Sequence, residues 1–126
     1  MDNTLCQCPV QALIAAQRCG AALILTAAIG EIDTHTASLW QQAVQETPRG
    51  ASERTVVLDL RAVRLIDAAG WAMLIRIQQE MTREGCRLKL LLARGSQPFR
   101  AFVTRWLHVA LDRIDSLDDL AGPKAA

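Results

Sequence analysis

Neither sign of charge dominates this chain: fourteen Lys and Arg stand against thirteen Asp and Glu. A protein that holds a polyanion usually carries a basic excess. Bulk charge therefore argues against nucleic acid or an anionic membrane as partner and leaves open only a local patch. No apolar run approaches the roughly 18–20 residues that span a bilayer. The longest, Ala21 to Ile29, is strand-sized and interrupted by Thr26. The run Ala12 to Ala16 is too short for a secretory core and has no basic segment before it. The expectation is a cytoplasmic protein without direct membrane insertion.

Metal and cofactor signatures are also missing. The four cysteines are Cys6, Cys8, Cys19 and Cys86, expected as reduced thiols in such a compartment. Cys6 and Cys8 could offer two thiolates, but a closed zinc site needs four ligands, and Cys19, His35 and His108 form no second pair. No G-x-x-x-x-G-K-[ST], G-x-G-x-x-G or G-x-S-x-G motif occurs. No metal, no cofactor and no catalytic residue is predicted.

What remains is a chain of 126 residues, 51% of them apolar, enough for one domain with one core. Residues 1–9 read as a flexible terminus, 10–121 as the folded domain and 122–126 as a tail. Val10 to Gln17 is strand or helix by period alone. With the turn-like Arg18-Cys19-Gly20 and the buried-strand pattern of Ala21 to Ile29, it suggests a hairpin. Gly30 to Asp33 closes that strand. Asp33 or Thr34 can cap a helix in which Ala37, Leu39, Trp40, Ala43 and Val44 recur at helical spacing. A polar loop, Thr47 to Glu53, leads to the strand Thr55 to Leu60, and Arg61 to Leu65 turns. Asp67 caps a second helix whose face carries Trp71, Leu74, Ile75, Gln78 and Met81, with Gly85 as its stop. Arg87 to Ala93 is a further strand. Ser96 caps a third helix with Pro98 in its first turn, carrying Phe99, Phe102, Val103, Trp106 and Leu107. His108 to Ile114 is a last strand and Asp115 to Leu120 a short final helix. Strands separated by helices imply an α/β sandwich: a mixed, mostly parallel sheet of about four or five strands, its antiparallel edge supplied by the first hairpin.

Four motifs in this order resemble the STAS family, the sulfate transporter and anti-sigma factor antagonist domains. They are Leu25 to Asp33 with Thr36, Ala37 and Leu39; Val56 to Leu60 with Val63 and Leu65 to Gly70; Gly85 to Leu90; and Leu107 to Ile114. The resemblance runs from about Val10 to Leu120 and implies the STAS fold. It also implies a non-catalytic, protein-binding role in bacterial transcription signalling, with an anti-sigma factor or related serine protein kinase as partner. In signalling members, the loop serine before the glycine is phosphorylated by that kinase. Here both loop positions are alanine, Ala68 and Ala69, so the phosphoacceptor is absent at the family position. The resemblance implies a partner surface at Asp33, Thr34, Thr36, Asp67, Ala68, Ala69, Gly70, Trp71 and Met73. Gly70, lacking a Cβ, would let a partner's backbone approach. Two rivals stand beside this reading: an accessory subunit that binds the ATPase of an ABC lipid transporter, and a small-ligand sensor.

Several residues admit a plainer role. Asp67, Asp33, Thr34, Thr36 and Ser96 are all suited to capping. Asp59 is expected exposed at a sheet end, and His35 solvent-facing. His108 is expected in a turn and Arg76 and Arg83 on a polar helix face. Trp40 and Trp106 are expected in the core. Trp71, where the family usually has leucine, is either core or an exposed aromatic anchor.

Overall fold

The computed structural model describes residues 14–28, 30–47 and 54–120. Its main sheet has five strands in the order β1 (Ile14–Cys19), β2 (Ala22–Ala27), β4 (Thr55–Asp59), β6 (Arg87–Leu91), β7 (Asp112–Ile114). β1 pairs antiparallel with β2, and every other neighbour is parallel. Three helices connect them: α1 (Ala37–Glu46), α2 (Ala68–Arg83) and α3 (Gln97–Thr104). This is the expected mixed sheet with its antiparallel edge. The central strands are mostly apolar because both faces are covered. Leu23, Leu25, Val56, Leu58, Leu88 and Leu90 pack on the helices through Trp40, Val44, Leu74, Ile77, Met81 and Phe102. On the other face Ile24, Val57 and Leu91 meet Ile114, Leu117 and Leu120.

The local punctuation follows simple chemistry. The Ser96 side chain accepts from the Phe99 amide at 3.3 Å, as its cap reading required. α2 ends in paired bonds, Cys86 N to Met81 O at 2.8 Å and Gly85 N to Thr82 O at 3.1 Å, with Gly85 at φ +82°. That is the reversal for which glycine is suited.

Several expectations need correction. The first turn comes later than its sequence suggests: Arg18 and Cys19 pair with Leu23 and Ala22, and the loop is Gly20–Ala21, with Gly20 at φ +63° where a hairpin turn of this kind needs it. Residues 10–13 of that first run, with Cys6, Cys8, the terminus 1–9 and the tail, lie outside the described residues. Glu31 does not close β2. Glu31–Ile32 forms a separate strand, β3, parallel to β5 (Leu65–Ile66), because Gly30 O accepts from Arg64 N and Leu65 N. Leu39 is 38% exposed, off the buried face of α1. Trp106 is no core residue: α3 ends at Thr104, and Trp106 turns outward at φ 57°, 70% exposed. His108 to Ile114 is not one strand but a 3-10 turn, Leu107–Val109, followed by the short β7. The final helix is a single 3-10 turn, Leu117–Leu120.

Because β2, β4, β6 and β7 run the same way, the domain has two distinct edges. The 30–36 and 60–67 segments follow strands and lie at the C-terminal edge. The residues that precede strands, and the ends of the returning helices, lie at the N-terminal edge.

Candidate functional site

Two loops at the C-terminal edge are joined by one carboxylate. Asp67 Oδ1 accepts from Gly70 N at 2.9 Å, capping α2. Its Oδ2 accepts from Thr34 N at 3.1 Å and from the Thr34 hydroxyl at 3.4 Å. The 33–36 turn is braced in parallel: Asp33 Oδ1 accepts from His35 N at 2.9 Å and Thr36 N at 3.1 Å, and its carbonyl from Ala37 N at 2.8 Å. Asp33 therefore shapes the turn before α1. The N-cap of α1 is Thr36, whose side chain makes no capping bond, so neither Asp33 nor Thr34 holds that position. On the outer surface of the joined loops lie Thr34 and His35, both exposed, with Ala68 exposed and Ala69 half-buried.

The Gly70 amide, above all, holds the Asp67 carboxyl below its ordinary range; desolvation opposes this, and the Thr34 and Ala69 amides add to the lowering. A lowered folded-state value means stabilisation that is present above the unfolded value near 3.8 and lost as pH falls through the folded value. Asp67→Asn keeps only one acceptor oxygen for the two loops. We expect it to cost about 1 kcal/mol at neutral pH. The gap in thermal midpoint between wild type and variant should close as pH drops below that window. A gap that stays constant into acid would show that the charge of Asp67 contributes nothing.

The structure divides the sequence-predicted surface. Asp33, Thr34, Thr36, Asp67, Ala68 and Ala69 come together around the two loops. Trp71 and Met73 do not belong to the surface: they are 3% and 0% exposed. Trp71 packs against Phe102 with ring centroids 6.3 Å apart. Gly70 is buried too, and the space beside it is filled from within, with Ile32 O 2.7 Å and Ile66 Cγ2 2.8 Å from where a Cβ would stand. No partner backbone is needed to explain the glycine.

Two features were not read from the sequence. Gln97, first residue of α3, grips the outer side of β5: its Oε1 accepts from Ile66 N at 3.0 Å and its Nε2 donates to Ile66 O at 3.3 Å. This places the start of α3 beside the loops. Asp59 is buried, not exposed, because Arg61 reaches back to it with Nε at 3.0 Å and Nη2 at 2.8 Å. Burial pushes its carboxyl up, yet the Arg61 bonds outweigh that and hold it low. Nothing in the spacing marks Gln97, whereas the D-x-R pattern at the end of an apolar strand was available as a hint. Among the described residues no group of three or more His, Cys, Asp and Glu could hold a metal ion, and no helix is long and apolar enough to cross a membrane.

Fold and loop geometry together define a small α/β domain whose exposed feature is a doubly braced helix start. The model of the STAS domain family matches residues 14–100, and the chain belongs to that family. No curated protein matches it in sequence. Solved structures share the fold. A Thermotoga maritima protein assigned as an anti-sigma factor antagonist superposes with TM-score 0.76 at 14% identity, over 94% of this chain and 99% of that one. The Bacillus cell fate determinant SpoIIAA in its phosphorylated form gives 0.58 at 15%, over 90% and 99%. The murine anion transporter Solute Carrier 26 family member A9 gives 0.70 at 16%, over 87% of this chain and 19% of the transporter.

Proposed function

We propose that this chain is a non-catalytic binding module of the anti-sigma factor antagonist kind. It would dock an anti-sigma factor or related serine protein kinase on the joined 33–36 and 67–70 loops, without phosphorylation at the family position. The observation that carries the reading is the bridge through Asp67. It gives the helix start and the neighbouring turn a fixed relative position, and a surface held in one shape loses little entropy on binding. Ala68 and Ala69 present methyl groups there. A phosphate at this point would bring roughly −1.5 to −2 charges into the contact; two alanines remove that way of breaking it. The contact set is Asp33, Thr34, Thr36, Asp67, Ala68 and Ala69. The domain as a whole is taken to run over residues 10–121.

Ala69→Glu, which places a charge where the family carries phosphate, tests this. In pull-downs from the protein's own cell lysate, the wild type is expected to recover a kinase-type anti-sigma factor that an ATP wash does not release. The variant is expected to lose it by more than about tenfold, as for a charge buried without a partner. Recovery of a transporter ATPase would favour the accessory-subunit reading, for which the shared fold inside an anion transporter speaks. Equal recovery by both forms would remove the loops as the binding surface.

A further inference from the structure

The N-terminal edge, opposite the Asp67 loops, carries a surface that the proposed protein contact does not use. α3 returns across the sheet and ends in a turn that displays apolar side chains: Val103 is 56% exposed, Trp106 70% and Val109 80%. Trp106 is the only described non-glycine residue with positive φ, at φ 57°, ψ 34°. That conformation is costly for a residue with a Cβ. A large ring held outward at a conformational cost is unlike the scattered apolar residues of an ordinary surface.

Cations line the same edge. Arg54 and Arg87 sit at the start of adjacent strands, linked by Arg87 N to Arg54 O at 2.8 Å. Arg83 is the last residue of α2, and Arg105 directly precedes Trp106. All four are exposed. From Gly85 to Leu111 the sequence contains no Asp or Glu. Acids reach this edge too: Glu80 and Glu84 lie beside Arg83, Glu46 ends α1, the turn carrying Asp118 and Asp119 borders Ala22 and Thr55, and Asp112 pairs with Lys89 at 3.5 Å.

We infer that this edge is a contact for an anionic lipid surface, with Trp106 and Val109 seated at the headgroup boundary and Arg54, Arg83, Arg87 and Arg105 over lipid phosphate and carboxylate. Arg54 and Arg87, at the starts of adjacent strands, set two cations side by side for an anionic surface, and tryptophan favours the interface where apolar and wet regions meet. The exposed aliphatics favour lipid over nucleic acid: a nucleic acid offers Trp106 a base to stack on, but it offers Val103 and Val109 no hydrocarbon. This is surface association, distinct from a membrane span. It is a local patch of the kind that the balanced total charge left open. In this orientation the Asp67 loops face away from the lipid.

Trp40 and Trp71 are buried at 0% and 3% exposure, so a change in tryptophan emission on binding reports Trp106 alone. Wild-type protein is mixed with vesicles of phosphatidylcholine containing phosphatidylserine, and with phosphatidylcholine alone, at low and high salt. The expected result is co-sedimentation and a blue shift with the anionic vesicles only, weakened by salt. The Arg87→Glu/Arg105→Glu double variant should bind at least tenfold more weakly, since each basic residue near such a surface is worth roughly fivefold. Trp106→Ala should lose the shift and bind more weakly, with the circular dichroism of the buried tryptophans unchanged. Absence of wild-type binding, or binding that neither variant weakens, would overturn the proposal. Binding to a DNA duplex but not to vesicles would also overturn it and assign the edge to nucleic acid.

Discussion

Gly70→Ala is expected to destabilise the domain by about 3 kcal/mol, although the same exchange within a helix ordinarily stabilises by about 1 kcal/mol. The reversal comes from packing. The added Cβ would stand 2.7 Å from Ile32 O, 2.8 Å from Ile66 Cγ2 and 3.0 Å from Ile32 Cγ2. The first of these is backbone of β3, which cannot swing aside as a side-chain tip can. α2 would have to lift away from the β3–β5 ribbon, and the Asp67 bridge rests on that ribbon. Urea unfolding gives the number. A variant as stable as wild type would mean that α2 and the ribbon do not meet as closely as described.

Trp71→Ala is expected to cost about 4 kcal/mol, in the range for emptying a large aromatic from a core. Its ring is buried beside Phe102, and its Nε1, buried as well, makes no hydrogen bond among the described residues. What is lost is therefore apolar contact alone. Trp71→Leu, the residue usual in the family at this point, should cost less, about 1–2 kcal/mol, by keeping much of the volume. The pair separates a core tryptophan from an interface anchor. For a core residue, the folded Trp71→Leu protein binds its partner as wild type does. For an anchor, stability would be kept and binding lost.

The parts of the fold that could be read from sequence are those written in local chemistry. Asp67 and Ser96 each stand one residue before a helix and cap it, and Gly85 closes α2 with a positive φ. The expected strands Ala21 to Ile29 and Arg87 to Ala93 contain the observed Ala22–Ala27 and Arg87–Leu91, each shorter than its run. The failures have physical reasons. A two-residue strand such as Glu31–Ile32 has no period to detect, so its pairing with Leu65–Ile66 is decided by tertiary contact alone. Trp106 continues the apolar rhythm of α3 by two residues, but the helix stops at Thr104 and the rhythm loses its meaning. Asp59 was placed at the surface by its charge, because the arginine that pairs with it lies two residues on, beyond the strand. At the candidate site the residues of the two loops were legible as capping types. The Asp67–Thr34 contact between them, thirty-three residues apart, was not.

Gln97 has a consequence for how these molecules behave in company. A ribbon strand with an open side is a template onto which a second chain can zip. On β5, the amide and carbonyl of Ile66 that would seed such growth are already occupied by a side chain imitating one peptide unit of a third strand. A carboxamide gives and takes at once whereas a carboxylate only accepts, so hydrolysis of Gln97 to the acid, as in aged protein, would set a carboxylate against the Ile66 carbonyl and reopen that side. A crowded or long-stored preparation would then be expected to join molecules end to end through the ribbon while the five-stranded sheet stayed intact.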